Sequence, residues 1–452
     1  MTPTPLTAHQ RLLAAGLVLG VTLVAFEMTA AVTALPTIAE ELGGDSLYGV
    51  ALAAYTLANL VALVAGGRFA DRRGPTPTFL VAIVTFVIGL LVAGFAQSMG
   101  VVVIGRALQG AGAGGFAPIA YLLVKRAFPD DRQAMMYALL SAGWVLPSLV
   151  APAFGGIVTE QFGWRWVFFA IVPMAVAVGA MASLPMRRYG PHDMLESPDG
   201  ARAGNLRILV AFGAASGVAA VVVSLRSANM AALAVGTLAG AALAIPTLRR
   251  LLPAGVFIAR TGQPAVVASR FLATATFMGV DGFVPLAAAR VHGATPTVQG
   301  FVIIGAALTW TLGQTLSAKN HHVSARTAVR LGFGLLMLGV VLVSPVLWSG
   351  WPLWATFVAW SIGGLGMGIL FNPTTVAAMS YATEGTEGDV SSQVQLADAL
   401  GFSLMGGIGG ATVAFADRGS LALESALLLS FGLAATLALV GILASRGVRP
   451  AP

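Results

Sequence analysis

Long apolar stretches alternate with short polar loops along almost the entire chain. A membrane-spanning helix needs roughly 20 consecutive apolar residues, and each of these stretches is long enough to qualify. The pattern predicts six spans in the first part of the chain, two in the middle and six in the last part. The predicted spans lie at about residues 12–36, 47–67, 77–97, 99–124, 134–158, 165–186, 207–225, 229–248, 264–288, 296–317, 327–347, 352–380, 394–415 and 421–445.

Two polar breaks separate these groups, the first at residues 187–207 and the second after the eighth span. The layout predicts an all-α membrane protein with two six-helix bundles and two extra linker helices, 14 transmembrane helices in all. The two middle spans have an alternative interpretation as one hairpin lying against the bundle. The predicted domains are an N-terminal bundle at 1–186, cytoplasmic loops and linker helices at 187–262, and a C-terminal bundle at 263–452.

The composition agrees with a surface that faces lipid. Of the 452 residues, 57% are hydrophobic and 10% are charged, whereas soluble domains carry about 25% charged residues. Cysteine is absent, which excludes disulfides, thiolate metal sites and cysteine nucleophiles. The net charge of +7 does not indicate a nucleic-acid partner, because the basic residues are scattered among short loops. Membrane lipids are the expected surroundings.

The positions of lysine and arginine predict the orientation, because these residues are enriched in cytoplasmic loops. With the N-terminus in the cytoplasm, 19 of the 25 Lys and Arg residues fall inside, four fall outside, and Arg106 and Arg270 lie within spans. The opposite orientation would reverse this bias. We therefore expect a multi-pass protein of the bacterial inner membrane with both termini in the cytoplasm.

A few ionisable residues lie inside predicted spans. Each is a functional candidate, because a charge at mid-bilayer costs roughly 2.5–3.5 kcal/mol on insertion scales. At the helical rise per residue, Glu27 lies roughly 13 Å and Arg106 roughly 10 Å from the outer ends of their spans. Asp281 lies at a similar depth in the ninth span. Glu27 and Arg106 are therefore placed where they could pair.

Glu27 and Arg106 have the properties that proton coupling requires. Burial favours the protonated form of a carboxyl group, whereas a nearby arginine favours the ionised form. A carboxyl group whose surroundings alternate between these conditions takes up and releases a proton. The alternative is a static buried pair that fixes helix packing. Asp281 is assigned to substrate attraction, and its alternative is a helix break at Gly282 and Pro285 that admits water.

Several polar or aromatic residues within spans are candidates for lining a substrate cavity. Such a cavity is expected to be mostly apolar with a few polar groups, which suits loose recognition. Each candidate has the alternative of a packing or helix-bridging role. Besides Asp281, the candidates are Tyr55, Asn59, Gln109, Trp144, Trp310, Gln314 and Asn372.

The segment at 66–75, G-G-R-F-A-D-R-R-G-P, closes the second span on the inside. Asp71 is expected at a helix C-terminus, where the helix dipole disfavours an anion, so it needs a partner. Gly67 permits close helix contact, and Gly74 suits a left-handed turn position.

The loop before the span at 394–415 carries three acidic residues and no basic one. Asp71, Arg72 and Arg73 are therefore expected to form a conformational latch with the start of that span. Asp398 lies in the same region. Its alternative is plain stabilisation by the positive end of the helix dipole.

Four segments together resemble motifs of the major facilitator superfamily. Residues 66–75 resemble its G-x-x-x-D-R-x-G loop, and residues 106–112, R-A-L-Q-G-A-G, resemble the R-x-x-Q-G-x-G motif of its fourth helix. Residues 151–156, A-P-A-F-G-G, resemble the end of its antiporter motif. Residues 163–169, G-W-R-W-V-F-F, resemble the start of the sixth helix in drug:proton antiporters. Fourteen spans are typical of one branch of that group.

The resemblance implies two bundles that rock around a central cavity. It associates Arg106 with proton movement and Asp71 with locking one conformational state. The fifth span departs from the family pattern at Pro147 and Ala151, where glycine is usual, so symport remains an alternative to antiport. The candidate residues of this antiporter-motif helix are Pro147, Pro152, Gly155 and Gly156.

The leading hypothesis is proton-coupled efflux of lipophilic small molecules, including cations, by a monomer. The alternative is proton-coupled transport of one specific metabolite or lipid. We expect no enzymatic activity, no metal site and no cofactor other than the proton as coupling ion. A primary pump is excluded because the chain carries no P-loop sequence.

Overall fold

The computed structural model describes residues 6–129, 132, 135–136, 139–140, 142–190, 198–225, 227, 229–319, 323–381 and 387–449. Within these residues the regular structure is helical, and no strand occurs. The α-helices are α1 Ala8–Glu41, α2 Tyr48–Arg73, α3 Pro75–Gly94, α4 Met99–Ala113, α5 Phe116–Ala127, α6 Val145–Phe162, α7 Arg165–Phe169, α8 Ile171–Met186, α9 Pro198–Ser224, α10 Met230–Leu251, α11 Gln263–Asp281, α12 Val284–His292, α13 Pro296–Lys319, α14 Ala325–Val343, α15 Leu353–Met379, α16 Glu387–Asp417 and α17 Leu423–Ala444.

Thirteen segments of the described chain are long and apolar enough to cross a membrane. Three of them contain two consecutive helices, namely α4 with α5, α7 with α8, and α11 with α12. The fifth predicted span, at 134–158, overlaps α6 and otherwise includes residues outside the description. The prediction of an all-α membrane fold is confirmed.

The two middle spans are separate helices. Both α9 and α10 contain a segment that is long and apolar enough to cross a membrane. They pack against each other, and α9 also packs along α2 and α16. Val218 and Val222 of α9 are buried together with Leu57 of α2 and Leu400 of α16. The linker pair therefore covers the line along which α2 meets α16.

The two halves meet along two seams, one between α2 and α16 and the other between α6 and α13. Gly49 and Gly410 sit where the first seam is tightest, because a Cβ atom added to Gly49 would lie 2.4 Å from the Cα of Gly410. In the second seam, a Cβ atom on Gly156 would lie 2.5 Å from the carbonyl oxygen of Pro296. Both contacts fall at the helix ends away from the chain termini. The halves are therefore closed against each other on that face.

The ninth predicted span is broken near Gly282 and Pro285, the position named in the alternative interpretation of Asp281. Helix α11 ends at Asp281 and α12 begins at Val284, with Pro285 in its first turn. Proline has no amide hydrogen to continue the helical bonding, so a break N-terminal to it is favoured. The hydroxyl of Tyr48 donates to the buried carbonyl of Gly282 at 2.7 Å, and thereby joins the two halves.

Candidate functional site

Glu27 of α1 and Arg106 of α4 form an ion pair inside the N-terminal half. Arg106 Nη1 donates to Glu27 Oε1, and the side chains are 2% and 0% exposed for Arg106 and Glu27. Removing two charges from water is costly, and this cost is offset only when the groups pair closely. The structure thus brings together the two residues that the sequence placed at similar depths.

Gln109 and Tyr55 complete this polar cluster. Gln109 lies one helical turn after Arg106, and its Oε1 accepts from Arg106 Nη1 at 2.8 Å. The guanidinium carbon of Arg106 lies 4.4 Å from the centroid of the Tyr55 ring, a cation–π geometry. We refer to Glu27, Tyr55, Arg106 and Gln109 as the N-half cluster.

The hydrogen bonds within the N-half cluster do not pair all of its buried polar atoms. Four of its buried polar atoms have no hydrogen-bond partner among the described residues. A buried polar group left unpaired costs about 1–3 kcal/mol, so native proteins tolerate few of them. These atoms are Glu27 Oε2, Tyr55 Oη, Arg106 Nε and Gln109 Nε2.

A small cavity of about 20 Å³, room for about one water molecule, lies beside the cluster and between the two halves. Thr56 of α2 and Ser403 of α16 join their hydroxyls at 2.6 Å across the halves, next to the cavity residue Phe402. Both halves therefore contribute to the cavity. Its walls are Met28, Val32, Leu52, Tyr55, Thr56, Arg106, Met278 and Phe402.

Sequence reasoning proposed Tyr55 for the cavity and Arg106 for the coupling pair, and it did not select the other six wall residues. An apolar side chain in a spanning helix looks the same whether it faces lipid or a cavity. One usable signal was helical spacing, since Leu52 lies three residues before Tyr55 on the same helix face. Similarly, Met28 directly follows Glu27, and Val32 lies one turn beyond it.

The other proposed cavity residues do not line this cavity, and their role in substrate binding stays a prediction. Asp281 Oδ1 accepts from the indole of Trp360 at 2.7 Å, which occupies the carboxylate within the C-terminal half. Asn372 donates to the carbonyl oxygen of Gln314 at 3.1 Å and so bridges α15 to α13. Trp310 packs edge-on against Phe277. Asn59 is half-buried on α2, and Trp144 is 46% exposed before α6.

A second ion pair lies in the C-terminal half, between Arg270 of α11 and Asp398 of α16. Arg270 Nε donates to Asp398 Oδ1 at 3.0 Å, and Nη2 donates to Oδ2. Arg270 Nη1 donates to the carbonyl of Phe371 and to the hydroxyl of Thr375, both at 3.1 Å. The guanidinium carbon lies 3.4 Å from the centroid of the Phe371 ring.

This pair corrects the interpretation of Asp398 as an acid stabilised by a helix N-terminus. Helix α16 begins at Glu387, eleven positions earlier, and the dipole effect fades within the first turn. Arg270 was recognised as lying within a span but was not joined to Asp398. The two residues are far apart in the chain, and no spacing rule links them.

The predicted latch segment is described only in part. Helix α2 continues through Arg73 and ends at Gly74, whose φ of 88° is the positive value expected there. The side chain of Asp71 lies outside the described set, so its proposed partner is untested. Arg73 lies over the ring of Phe69 at 5.6 Å, and a Cβ atom added to Gly67 would lie 3.7 Å from the Pro118 side chain.

The candidate residues of α6 lie at the seam with the C-terminal half. The carbonyl oxygen of Pro152 would be 2.3 Å from a Cβ atom on Gly300, whereas Gly155 faces its own half, where an added Cβ atom would lie 2.6 Å from the carbonyl oxygen of Ala30 in α1. Pro147 is buried near the start of the helix. Small residues here allow backbones to touch without side chains between them.

At the end of this seam, Glu160 Oε2 accepts from the backbone amide of Thr297 at 3.2 Å. Glu160 lies beyond the predicted span and is exposed to solvent. Hydrogen bonds from the side chain and backbone of Thr297 hold the pKa of the Glu160 carboxyl below its usual range. The carboxylate of one half thus caps the first turn of α13 in the other half.

Residues 163–169 stabilise the N-terminal half rather than the cavity. The indole of Trp164 donates to Glu41 Oε2 at 2.8 Å. Arg165 donates to the carbonyl oxygen of Ala96 at 3.1 Å and lies over the Trp164 ring at 4.2 Å. These contacts join α7 to the end of α1 and to the turn before α4.

Apolar helices around an interhelical cavity between two bundles define a multi-pass membrane transporter. The sequence pattern of the Major Facilitator Superfamily matches residues 17–406, and the chain belongs to that family. The prediction of this family from four motifs is confirmed.

Similar proteins and solved structures agree with this family assignment. The chain is 27% identical over 442 residues to the probable multidrug-efflux transporter Rv1634 of Mycobacterium tuberculosis, covering 94% of this chain and 92% of that protein. It is 25% identical over 427 residues to multidrug resistance protein 3 of Bacillus subtilis, covering 89% and 79%. A bacterial homologue of the human lysosomal transporter Spinster, inward-facing and unoccupied, has the same fold with a TM-score of 0.72. It is 16% identical and covers 99% of this chain and 100% of that one.

Proposed function

We propose that this protein exports lipophilic small molecules across the bacterial inner membrane in exchange for protons, by alternating access. The observation that carries the proposal is a buried, incompletely satisfied ion pair bordering an apolar cavity between two halves. Similarity over most of their length to a relative named as a probable multidrug-efflux transporter and to one named as a multidrug resistance protein supports efflux as the direction. The proton is the only coupling ion in this proposal, and the functional unit is the monomer.

Glu27 carries the proton, and Arg106 sets when it is released. In the closed pair, Arg106 favours the ionised carboxylate. When rocking of the halves separates the two groups, the carboxyl remains in a dry setting that favours the protonated form. Alternation between these settings couples proton movement to the change of conformation.

The conformation described here is closed on the face away from the termini. With both termini in the cytoplasm, as the distribution of arginine predicts, this is the state closed to the outside. Asp71, Arg72 and Arg73 act in the opposite state, latching the inner face to the N-terminal part of α16, whereas Asp398 stays paired with Arg270. Asp281 attracts substrates by its charge when rocking frees it from Trp360.

The test is transport in everted vesicles with an imposed pH gradient, using a panel of fluorescent lipophilic compounds. Glu27→Gln should abolish movement driven by the gradient while leaving downhill exchange intact. Glu40→Gln serves as the matched control, because Glu40 lies exposed at the end of the same helix. Gradient-driven transport that persists in Glu27→Gln would contradict the assignment of the coupling proton to Glu27.

A further inference from the structure

The loop at residues 252–262 joins the linker helix α10 to the first helix of the C-terminal half, α11. Both segments that flank it, Met230–Leu251 and Gln263–His292, are long and apolar enough to cross a membrane. At its end, the amide of Gly262 donates to the carbonyl oxygen of Gly447 at 2.9 Å, close to the C-terminus of the chain. The 252–262 loop therefore lies at the membrane surface on the side of the termini.

The backbone of the 252–262 loop has a defined shape. The amide of Val256 donates to the carbonyl oxygen of Pro253, and that of Arg260 donates to Gly255, both at 3.1 Å. Ala259 has a φ of 46°, in the left-handed region that residues with a Cβ atom rarely adopt. Such a conformation persists only where the surroundings enforce it, and here the Val256 side chain is buried in the core. The directions of the outward side chains are therefore fixed.

Two adjacent large apolar side chains form the outer surface of the loop. Phe257 is 56% exposed and Ile258 is 79% exposed. Transfer of such side chains from water into an apolar phase is favourable. Because the loop directly connects two spanning segments, the apolar phase within its reach is the edge of the hydrocarbon layer.

Three exposed arginines flank this apolar pair. Arg249 and Arg250 lie in the last turn of α10, and Arg260 follows the pair on the other side. None of the three forms an ion pair among the residues that the structure describes. The chain supplies no acid nearby in sequence, since residues 200–280 contain neither Asp nor Glu. We refer to these three arginines as the basic rim.

We propose that the 252–262 loop binds an anionic phospholipid and thereby anchors the C-terminal half to the leaflet on the side of the termini. Phe257 and Ile258 enter among the acyl chains, and the basic rim contacts the phosphate of the headgroup. Guanidinium groups bind phosphate oxygens by paired, charge-assisted hydrogen bonds, and anionic lipids attract basic residues next to spanning helices. This inference does not rest on the proposed transport function.

The experiment measures contact between the loop and brominated lipids. The chain has no cysteine, so Ile258→Cys provides a single attachment point for a nitrobenzoxadiazole fluorophore. The labelled full-length protein is placed in nanodiscs of phosphatidylcholine that contain a small, equal mole fraction of either phosphatidylglycerol or phosphatidylcholine with brominated acyl chains. Brominated phosphatidylglycerol should quench at least about fivefold more strongly, since one arginine at a membrane surface contributes roughly that factor.

Gly190→Cys is the matched control for insertion. Gly190 lies at the same face and follows two exposed arginines, Arg187 and Arg188, but no pair of exposed apolar side chains accompanies it. Nothing lies within 4 Å of its Cβ position, so the label is tolerated. Fluorescence from this position should be quenched only weakly by either brominated lipid.

Replacing the basic rim by glutamine in the Ile258→Cys protein separates the two parts of the proposal. Both lipids should then quench equally, because the apolar pair still inserts but no longer selects an anionic headgroup. Molar salt should have the same effect on the unchanged rim by screening its charges.

Three outcomes would overturn the inference. Quenching at position 258 that is no stronger than at position 190 would show that the apolar pair is not in the bilayer, and would indicate a protein partner instead. Equal quenching by both lipids with the rim intact would exclude selection of an anionic lipid. A preference that survives the glutamine substitutions would place the headgroup on other residues. The measurement needs no transport, so its failure would leave the proposed function untouched.

Discussion

Each half of the molecule buries one acid–arginine pair with an aromatic ring against the guanidinium, yet the two pairs are completed differently. In the C-terminal half, Arg270 donates to both oxygens of Asp398 and to two further acceptors. In the N-terminal half, Arg106 gives Glu27 a single hydrogen bond, and both residues keep an unpaired buried atom.

The difference separates a structural contact from a site that can change. A satisfied bidentate pair joins α11, α15 and α16 and has nothing to gain from a ligand or a proton. An incompletely satisfied pair beside a cavity can gain hydrogen bonds from a substrate and can exchange its proton. Burial alone does not distinguish them, since both arginines are almost fully enclosed.

The largest expected effect is on folding when the C-half pair is broken. Asp398→Asn leaves Arg270 buried without its carboxylate, which should destabilise the protein by about 3–5 kcal/mol. Glu27→Gln also leaves an arginine buried without its carboxylate, but it should cost less, because one hydrogen bond joins that pair rather than two. Thermal unfolding in detergent measures both, with the exposed Glu424→Gln as control. Equal destabilisation by Asp398→Asn and Glu27→Gln would remove the distinction between the pairs.

Replacing both residues of a pair by apolar residues also tests whether the Glu27–Arg106 and Arg270–Asp398 pairs have different roles. Arg270→Met with Asp398→Leu should recover most of the lost stability and retain gradient-driven transport, since buried pairs often exchange for apolar residues at little cost. Glu27→Leu with Arg106→Met should also fold but lose coupling completely. Loss of coupling in the C-half double variant, with normal folding, would assign that pair a transport role.

Opening the outer face should expose the N-half cluster more than the C-half pair. A Cβ atom on Gly49 collides with the Gly410 backbone, and overpacking of this kind costs about 1–3 kcal/mol. Gly49→Ala should therefore favour the state open on the face away from the termini. A cysteine at Leu52, a cavity wall, should then react about tenfold faster with an impermeant maleimide from that face. Gly432→Ala is the control, since nothing lies within 4 Å of its Cβ position.

The smallest effect is expected at Glu160, which joins the halves at the same face but is exposed to solvent. The hydrogen bonds from Thr297 lower the pKa of the Glu160 carboxyl, so the contact is present at neutral pH. It is lost when the pH falls through this lowered pKa and the carboxyl is protonated. Acidifying the outer solution should raise the labelling rate of the Leu52 cysteine at most a few-fold. Glu160→Gln should make the rate insensitive to pH in that range. A pH response that is unchanged in Glu160→Gln would place the sensor elsewhere.

Much of the fold followed from local patterns. Apolar length predicts spanning helices because a bilayer leaves the backbone no other way to pair its polar groups. The break at Gly282 and the positive φ at Gly74 followed from proline and glycine chemistry, which acts within a few residues. The Glu27–Arg106 pair followed from depth, since a charge in a span needs a partner at the same height.

Contacts between residues far apart in the chain could not be predicted from these local patterns. Asp398 was interpreted from its own helix, and its true partner lies 128 residues earlier in the chain. Trp310 and Asn372 were proposed for the cavity because they are aromatic or polar, but residue type alone did not predict that Trp310 packs on Phe277 or that Asn372 donates to the Gln314 carbonyl. Residue type signals that a side chain needs a partner but does not say which helix supplies it.

By itself, the sequence determined that this protein crosses the membrane repeatedly, which family motifs it carries, and that Glu27 and Arg106 lie at matching depths. These features depend on hydrophobic length and on residue spacing along one helix. Only the tertiary structure decided which faces of α1, α2, α4, α11 and α16 enclose the cavity and which ion pair is left incomplete. Those properties depend on the rotation of each helix about its own axis, which is set by packing against other helices rather than by any local pattern.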